Sequence, residues 1–159
     1  MSWIELIRQE RMPTVWCPGC GLGILLTQVA KAFEELGLDY TNTAVVSGIG
    51  CTGRFAGYLN MDTVHSLHGR AIPLAEGIKR ANENLNVFVI SGDGDLTGIG
   101  GNHLLHASRR NVNITVICVD NGIYGMTGGQ LAPTTEKGMA TATSPYGSPY
   151  EPINLQGII

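Results

Sequence analysis

The feature that most constrains the fold of this sequence is a pair of polar loops, each placed directly after a short apolar segment. Residues Asn86–Ser91 predict a strand that runs into the motif GDGD at residues 92–95. Residues Asn113–Asp120 predict a second strand that runs into Asn121. Open α/β sheets bind ligands beyond the carboxyl ends of their parallel strands, so the two loops are predicted to meet at one edge of a sheet.

The remaining pattern alternates strands with amphipathic segments and predicts an α/β fold with a doubly wound, mostly parallel sheet. A third strand is predicted at Thr43–Ser47, whereas residues 55–68 look irregular. After Gly125 the sequence is polar and rich in Gly, Pro and Thr, which predicts a mobile loop or the start of missing structure. Helices are predicted at Gly21–Leu36 (with Leu25, Val29, Ala30 and Phe33 on one face), Ile72–Asn82 and Asn102–Arg109.

Length and composition indicate a single domain, residues 17–159, preceded by an N-terminal arm of residues 1–16. The chain has 159 residues, of which 43% are hydrophobic and 22 are glycine. Its net charge of −3 and the lack of a basic patch argue against a nucleic acid as partner. No apolar run is long enough to span a membrane and no secretory signal is visible, so a cytoplasmic location is expected.

The two loops offer oxygen atoms that suit Mg²⁺ in the company of phosphates, namely the Asp93 carboxylate and the Asn121 amide. The plain alternative is a tight turn between strand and helix, capped by Asp95. The order of the residues resembles the thiamine-diphosphate signature, in which GDG is followed one βαβ unit later by Asn. That resemblance implies that Asp93, Asn121 and the main-chain oxygen of Ile123 hold Mg²⁺ on the cofactor's diphosphate.

Four cysteines in an acidic chain without a visible signal segment point to a reducing compartment and to metal binding rather than disulfides. Cys17 and Cys20 form a C-x-x-C pair, and Cys51 follows in another Gly-rich loop. Thiolates in such loops suit Zn²⁺ or an iron–sulfur cluster. A redox-active pair and unligated thiols are the alternatives. Cys118 lies inside a predicted strand and is expected in the core.

Motifs between Trp16 and Thr135 resemble the β subunits of 2-oxoacid:ferredoxin oxidoreductases, especially the 2-oxoglutarate type: WCPGCG, SGIGCTGR, HSLHGRAIPLAEGIK, GDGDLTGIGG and DNGIYGMTGGQ. The resemblance implies the diphosphate-binding domain of the thiamine-diphosphate-binding fold, with thiamine diphosphate, Mg²⁺ and a [4Fe–4S] cluster as cofactors. It implies Cys17, Cys20 and Cys51 as cluster ligands. The family's fourth cysteine lies in a C-terminal part that this sequence lacks, so a fragment truncated at the C-terminus is expected.

The same resemblance implies two catalytic residues, Arg54 and Met126, and a larger set that binds the cofactor. Met126 would contact the reacting carbon of the thiazolium, with core packing as its alternative. Thr127 would contact a phosphate or the pyrimidine. The cofactor-binding set comprises Gly50, Cys51, His68, Gly92, Asp93, Gly94, Asp95, Asn121, Ile123, Gly125, Met126 and Thr127.

Arg54 occupies a position at which the family often places a residue that sorts substrates. A guanidinium there could pair bidentately with the second carboxylate of 2-oxoglutarate. We therefore expect 2-oxoglutarate as the substrate, with pyruvate or a broad range of 2-oxoacids as the alternative. The simpler interpretation of Arg54 is a surface side chain paired with Asp or Glu.

Two pairs of histidines, His65 with His68 and His103 with His106, have a spacing that invites a zinc site. Neither pair has a third ligand at suitable spacing, and the second pair is expected to be structural. In the family, the position of His68 lies near the diphosphate, to which an imidazole could donate a hydrogen bond.

The resemblance implies an enzyme that is active only with its partner α subunit, and in some members with γ and δ subunits as well. It implies CoA-dependent oxidative decarboxylation of a 2-oxoacid to acyl-CoA and CO₂, with ferredoxin as electron acceptor. The glutamate that activates the aminopyrimidine comes from the α subunit. The alternatives are a thiamine-dependent decarboxylase or synthase half without electron transfer, a non-catalytic fragment, and a Rossmann-like nucleotide binder, which the missing G-x-G-x-x-G disfavours.

Overall fold

The computed structural model describes residues 1–157 and is built around one parallel sheet. Its strands stand in the spatial order β2-β1-β3-β4. They are β1 (Thr43–Ser47), β2 (Asp62–His65), β3 (Asn86–Gly92) and β4 (Thr115–Val119). A separate antiparallel pair consists of β5 (Ile123–Tyr124) and β6 (Gln130–Leu131). The predicted α/β fold with a mostly parallel sheet is confirmed.

The described residues form three α-helices: α1 (Gly21–Glu35) precedes β1, α2 (Ala71–Ala81) connects β2 to β3, and α3 (Gly101–Arg109) lies between β3 and β4. Each agrees with its predicted span to within a residue at either end. A π-helix, Gly94–Ile99, joins β3 to α3 and was not predicted. Within residues 1–157, no helix is both long enough and apolar enough to cross a membrane.

Helices cover both faces of the sheet, which is the doubly wound arrangement. Successive strand residues point to opposite faces, so Val45 and Ile90 pack against α1 in one core cluster. Val46 and Val89 pack against α2 and α3 in the other. A parallel sheet buried on both faces requires near-continuous apolar strands, which explains the sequences of β1 and β3.

The prediction that residues 55–68 are irregular is wrong. Thr52–Tyr58 forms a 3₁₀ helix, with Phe55 fully buried, and Asp62–His65 forms β2, which pairs in parallel with β1. The edge strand β2 is short and largely exposed, so it lacks the apolar pattern that reveals a central strand.

The polar segment after Gly125 also has defined structure. It contains β6, and its main chain is tied down at several points. The N–H of Ala142 donates to the carbonyl of Gly129 at 2.9 Å, and the N–H of Ile153 donates to the carbonyl of Pro133 at 2.9 Å. The two alternatives for this segment, a mobile loop and the start of missing structure, stay predictions.

The N-terminal arm packs onto the same core as the rest of the chain. Leu6 is fully buried, and its carbonyl accepts a hydrogen bond from the N–H of Asn60 at 2.8 Å. The N–H of Arg8 donates to the carbonyl of Tyr58 at 2.9 Å. The division at residue 16 stays a prediction. The predicted domain 17–159 includes Ile158 and Ile159, which lie outside the described residues.

The sheet brings three loops to one edge. In the pairing register, Ser47 at the end of β1 lies beside Ile90 of β3, and Gly92 at the end of β3 lies beside Val119 at the end of β4. The loops that follow β1, β3 and β4 therefore emerge side by side, as the two polar motifs predicted.

Candidate thiamine diphosphate site

A cavity of about 150 Å³ opens at this edge of the sheet. All twelve residues predicted to bind the cofactor line it, from Gly50 in the loop after β1 to Thr127 in the loop after β5. Ile49, Thr52 and Tyr124 line it as well and were not predicted. The structure brings the predicted set together, while the role of each member stays a prediction.

Asp93 lies at the base of this cavity with only 2% of its surface exposed. Its carboxylate accepts a short hydrogen bond from the hydroxyl of Thr134. Burial raises the pKa of Asp93, the Thr134 hydrogen bond lowers it, and the nearby Asp120 carboxylate raises it. Among residues 1–157, no Lys, Arg or His forms an ion pair with Asp93. A cation at this carboxylate would offset the cost of its buried charge.

The oxygen set around Asp93 fits Mg²⁺. Asn121 and Ile123 line the same cavity, and the N–H of Ile123 donates to Oδ1 of Asn121 at 3.3 Å, which holds the two residues in one tight turn. A carboxylate, a side-chain amide and a main-chain carbonyl are hard oxygen donors of the kind that Mg²⁺ binds beside phosphates.

Asp95 is the other buried carboxylate of the GDGD motif, and protein groups engage both of its oxygens. Oδ1 accepts from the N–H of Gly69 at 2.8 Å and from that of Ile49 at 3.3 Å, and Oδ2 accepts from the hydroxyl of Ser91 at 2.6 Å. Nδ1 of His68 makes a further short contact with Oδ1. The alternative interpretation, a turn capped by Asp95, is wrong, because this carboxylate reaches the loops after β1 and β2 instead.

The contact with Asp95 orients the imidazole of His68. A carboxylate accepts hydrogen bonds, so Nδ1 carries the proton and Nε2 is the nitrogen left for another partner. Among the described residues, Nε2 has no hydrogen-bond partner. The ring also stands edge-on to Tyr124, with 6.2 Å between ring centroids. His68 therefore has one nitrogen anchored and the other available at the cavity.

Two glycines allow the loops to approach one another this closely. A Cβ atom on Gly48 would lie 1.8 Å from Oδ2 of Asp95. A Cβ atom on Gly94 would lie 2.4 Å from the ring of Tyr124, whose hydroxyl donates to the Gly94 carbonyl at 3.1 Å. No local sequence pattern indicates that Tyr124 contacts Gly94, so the packing of Tyr124 over the GDGD motif was not predicted.

Cys51 lies on the rim of the cavity, close to Cys17 and Cys20. Burial raises the pKa of the Cys51 thiol most, followed by the charges of Cys20 and Cys17. The indole N–H of Trp16 donates to the Cys51 carbonyl at 2.8 Å and so fixes one cysteine loop against the other. Within residues 1–157, however, no group of three or more His, Cys, Asp or Glu side chains is close enough to hold a metal ion.

The other candidate residues lie outside this cavity. Cys118 is half-buried and packs against the second core cluster, whereas Cys20 and Cys51 pack against the first, and burial raises the pKa of the Cys118 thiol to about 11. His103 and His106 lie on α3 and do not line the cavity, and their structural role stays a prediction. Arg54 is exposed and lines a neighbouring cavity together with Met126.

A family model described as "Thiamine pyrophosphate enzyme, C-terminal TPP binding domain" matches residues 48–159. The fold and the cavity thus define a thiamine diphosphate-binding domain. The chain is 48% identical over 99% of its length to "2-oxoglutarate synthase subunit KorB" of Methanothermobacter thermautotrophicus, and 50% identical over 97% to the protein of that name in Archaeoglobus fulgidus. It belongs to the family of 2-oxoacid:ferredoxin oxidoreductase β subunits, which confirms the resemblance seen in its motifs.

The chain spans about half the length of these relatives, 55% of the first and 57% of the second. A solved structure, "2-oxoglutarate:ferredoxin oxidoreductase from Magnetococcus marinus with 2-oxoglutarate, coenzyme A and succinyl-CoA bound", superposes with a TM-score of 0.93 at 44% identity. That match covers 98% of this chain and 53% of the other.

Replacing Gly48 by Ala should disrupt the cavity, because the added methyl group collides with the buried Asp95 carboxylate. We expect a loss of about 1–3 kcal/mol in the free energy of unfolding, together with weaker binding of thiamine diphosphate. Urea unfolding and a ligand titration measure the two effects. The matched control is Gly77→Ala in α2, where a Cβ meets nothing within 4 Å. Equal stability of the two variants would contradict this account of Asp95.

Proposed function

We propose that this chain binds thiamine diphosphate through Mg²⁺ and forms part of the β subunit of a 2-oxoglutarate:ferredoxin oxidoreductase. The reaction would be CoA-dependent oxidative decarboxylation to an acyl-CoA and CO₂, with electrons passed through a [4Fe–4S] cluster to ferredoxin. The observation that carries the proposal is one cavity that combines Asp93, which is buried and forms no ion pair within residues 1–157, with the oxygens of Asn121 and Ile123 and the thiol of Cys51.

In this proposal Asp93, Asn121 and the carbonyl of Ile123 would hold Mg²⁺, which would neutralise the charge of the diphosphate. Gly50, Gly92 and Gly94 line the same cavity. Because these residues have no side chain, phosphate oxygens could come close to their main-chain N–H groups. His68 would donate from Nε2 to a phosphate when the ring is protonated, since its Nδ1 is already committed to Asp95.

Thiamine diphosphate, when bound, supplies the carbon nucleophile for the 2-oxoacid and takes up the electron pair left by loss of CO₂. Met126 would lie against its reacting carbon. The hydroxyl of Thr127 donates to the side-chain oxygen of Gln130 at 2.6 Å, so its free lone pairs are suited to accept. We therefore favour the pyrimidine over a phosphate as the partner of Thr127. The α subunit would supply the glutamate that activates the aminopyrimidine.

Cys17, Cys20 and Cys51 are proposed as three cluster ligands, with a fourth from outside these residues. Support comes from the charges of Cys20 and Cys17, which raise the pKa of the Cys51 thiol, and from the place of Cys51 beside the cofactor cavity, where its Sγ lies 3.7 Å from the Cβ position of Gly125. When bound, such a cluster accepts electrons singly. The second candidate function, a thiamine-dependent half-enzyme without electron transfer, is favoured by the lack of an assembled ligand group among residues 1–157.

The preference for 2-oxoglutarate is supported by Arg54. Among residues 1–157 its guanidinium forms no ion pair, which argues against a surface residue neutralised by Asp or Glu. Partner subunits, ferredoxin, coenzyme A and a cytoplasmic location belong to the same proposal. Pyruvate and a broad range of 2-oxoacids are the competing substrates.

Asp93→Ala should abolish Mg²⁺-dependent binding of thiamine diphosphate, because the only carboxylate in the proposed Mg²⁺ ligand set is lost. We expect the affinity to fall more than about 100-fold. Calorimetric titration with Mg²⁺ and with a chelator measures it. Asp62→Ala, on the exposed edge strand β2, is the matched control and should bind normally. An unchanged affinity in Asp93→Ala would remove the central claim.

Iron and acid-labile sulfide, measured on anaerobically purified protein with its α partner, test the electron-transfer role. We expect about four irons per pair of chains. Cys51→Ser should lose this iron, whereas Cys118→Ser should keep it, because Cys118 packs in the opposite core cluster. A complex that binds thiamine diphosphate but contains no iron would support the half-enzyme instead.

Arg54→Ala should reduce kcat/KM for 2-oxoglutarate roughly tenfold or more in the complete enzyme, because a charged hydrogen bond to the second carboxylate is lost. Turnover of pyruvate, which lacks that carboxylate, should change little. Steady-state assays with both substrates measure the difference. Equal losses with the two substrates would make Arg54 a structural residue.

A further inference from the structure

A second cavity, of about 630 Å³, lies next to the cofactor cavity. Arg11 from the N-terminal arm, Arg54 from the 3₁₀ helix and His65 from the end of β2 line it. Met126 lines this cavity, the cofactor cavity and a small cavity of about 140 Å³ that it shares with Arg54 and His65. Met126 therefore borders both the cofactor cavity and this second cavity, which we call the cationic chamber.

The chamber contains positive groups and no carboxylate among its lining residues. Arg11 donates one hydrogen bond, from Nη1 to the Gly57 carbonyl at 3.1 Å, and a guanidinium has five N–H donors. Among residues 1–157, neither Arg11 nor Arg54 forms an ion pair. Two cations that share one cavity without a counter-charge repel each other, and an anion bound between them would relieve that cost.

The imidazole of His65 is held through Nδ1, and its Nε2 remains available to another partner. The hydroxyl of Ser47 donates its single proton to the Gly53 carbonyl at 2.7 Å. Its oxygen lies 3.1 Å from Nδ1 of His65, so Nδ1 must be the donor in that contact. Nε2 therefore lacks a proton in the neutral ring and becomes a donor when the ring is protonated.

Arg11 and His65 converge on one point. A Cβ atom on Gly57 would lie 3.3 Å from Nη1 of Arg11 and 3.3 Å from Nε2 of His65. The absence of a side chain at Gly57 keeps this space open. Tyr58 adds a further donor to the wall, because its hydroxyl accepts from the N–H of Val15 at 2.8 Å and keeps its own proton for another partner.

We propose that Arg11 and His65 complete, with Arg54, a subsite for the second carboxylate of a dicarboxylic 2-oxoacid. The N-terminal arm and β2 would then take part in substrate selection. This inference rests on the proposed function, because it requires a 2-oxoacid whose keto carbon reacts beside Met126.

The position of the chamber selects a carboxylate over the phosphates of coenzyme A. In 2-oxoglutarate, only two methylene groups separate the keto carbon from the second carboxylate, and Met126 lines both the cofactor cavity and the chamber, so the two ends of this substrate would lie on adjacent sides of one residue. In coenzyme A the whole pantetheine arm separates the reacting thiol from the phosphates. A phosphate would therefore lie far from Met126 when the thiol reaches the reacting carbon.

The test compares kcat/KM for 2-oxoglutarate and for 2-oxobutyrate, a monocarboxylic 2-oxoacid, in the complete enzyme with its partner subunits. His65→Asn keeps an amide near Nδ1 for Ser47 and removes Nε2, whereas His65→Gln places an amide nearer to Nε2. Arg11→Met removes the charge and Arg11→Lys retains it. Arg109→Met, on the exposed end of α3, removes one positive charge elsewhere and is the control.

We expect Arg11→Met and His65→Asn each to lower the ratio of the two kcat/KM values roughly tenfold, through a higher KM for 2-oxoglutarate. Arg11→Lys and His65→Gln should restore part of it, and Arg109→Met should leave it unchanged. Bound thiamine diphosphate, measured on every variant, reports whether the enzyme is assembled. If the Arg11→Met enzyme does not assemble, the comparison of His65→Asn with His65→Gln alone tests the proposed subsite.

Equal losses with both substrates in an assembled enzyme would overturn this inference and leave the proposed function standing. A selective rise in the KM for coenzyme A would also overturn it, because the chamber would then bind phosphate. No turnover of any 2-oxoacid by the unaltered enzyme would overturn the proposed function, and this inference with it.

Discussion

The site depends above all on the buried carboxylate of Asp95. It accepts hydrogen bonds from the loop after β1 at Ile49, from the loop after β2 at Gly69 and from the end of β3 at Ser91. A buried charge is tolerated only when its hydrogen bonds are complete, so the three loops must come together or all lose stability. Gly48 permits this convergence, because any side chain there would occupy the place of the carboxylate.

The two aspartates of the GDGD motif have opposite environments although a single residue separates them. Protein donors satisfy both oxygens of Asp95. Asp93 is equally buried, but burial raises its pKa and no cation among the described residues pairs with it. One carboxylate therefore holds the loops in place, and the other is left able to gain from a bound cation. This division of roles is the physical reason for proposing Mg²⁺ at Asp93.

Met126 and Cys51 line the same cavity and have different proposed roles. Cys51 is held through its main chain by Trp16, which stacks near Tyr58 with 4.8 Å between ring centroids. Met126 lines both this cavity and the chamber that contains Arg11 and Arg54. In the proposed function, electron transfer, the carbon chemistry and substrate selection would therefore depend on residues that lie close together. The loop after β1 contributes Cys51 and the turn after β5 contributes Met126.

The sequence by itself determined the fold class, three strands of the parallel sheet (β1, β3 and β4), the three α-helices and most of the residues around the cofactor cavity. Apolar runs, helical periodicity and loop motifs after strands are local signals, and parallel strands bring their following loops to one edge. Tertiary structure alone decided the edge strand β2, the engagement of Asp95, the contact of Thr134 with Asp93 and the meeting of Arg11 with His65. Each of these joins residues far apart in the chain, and the energy that selects such a pairing resides in packing and burial rather than in any short stretch of sequence.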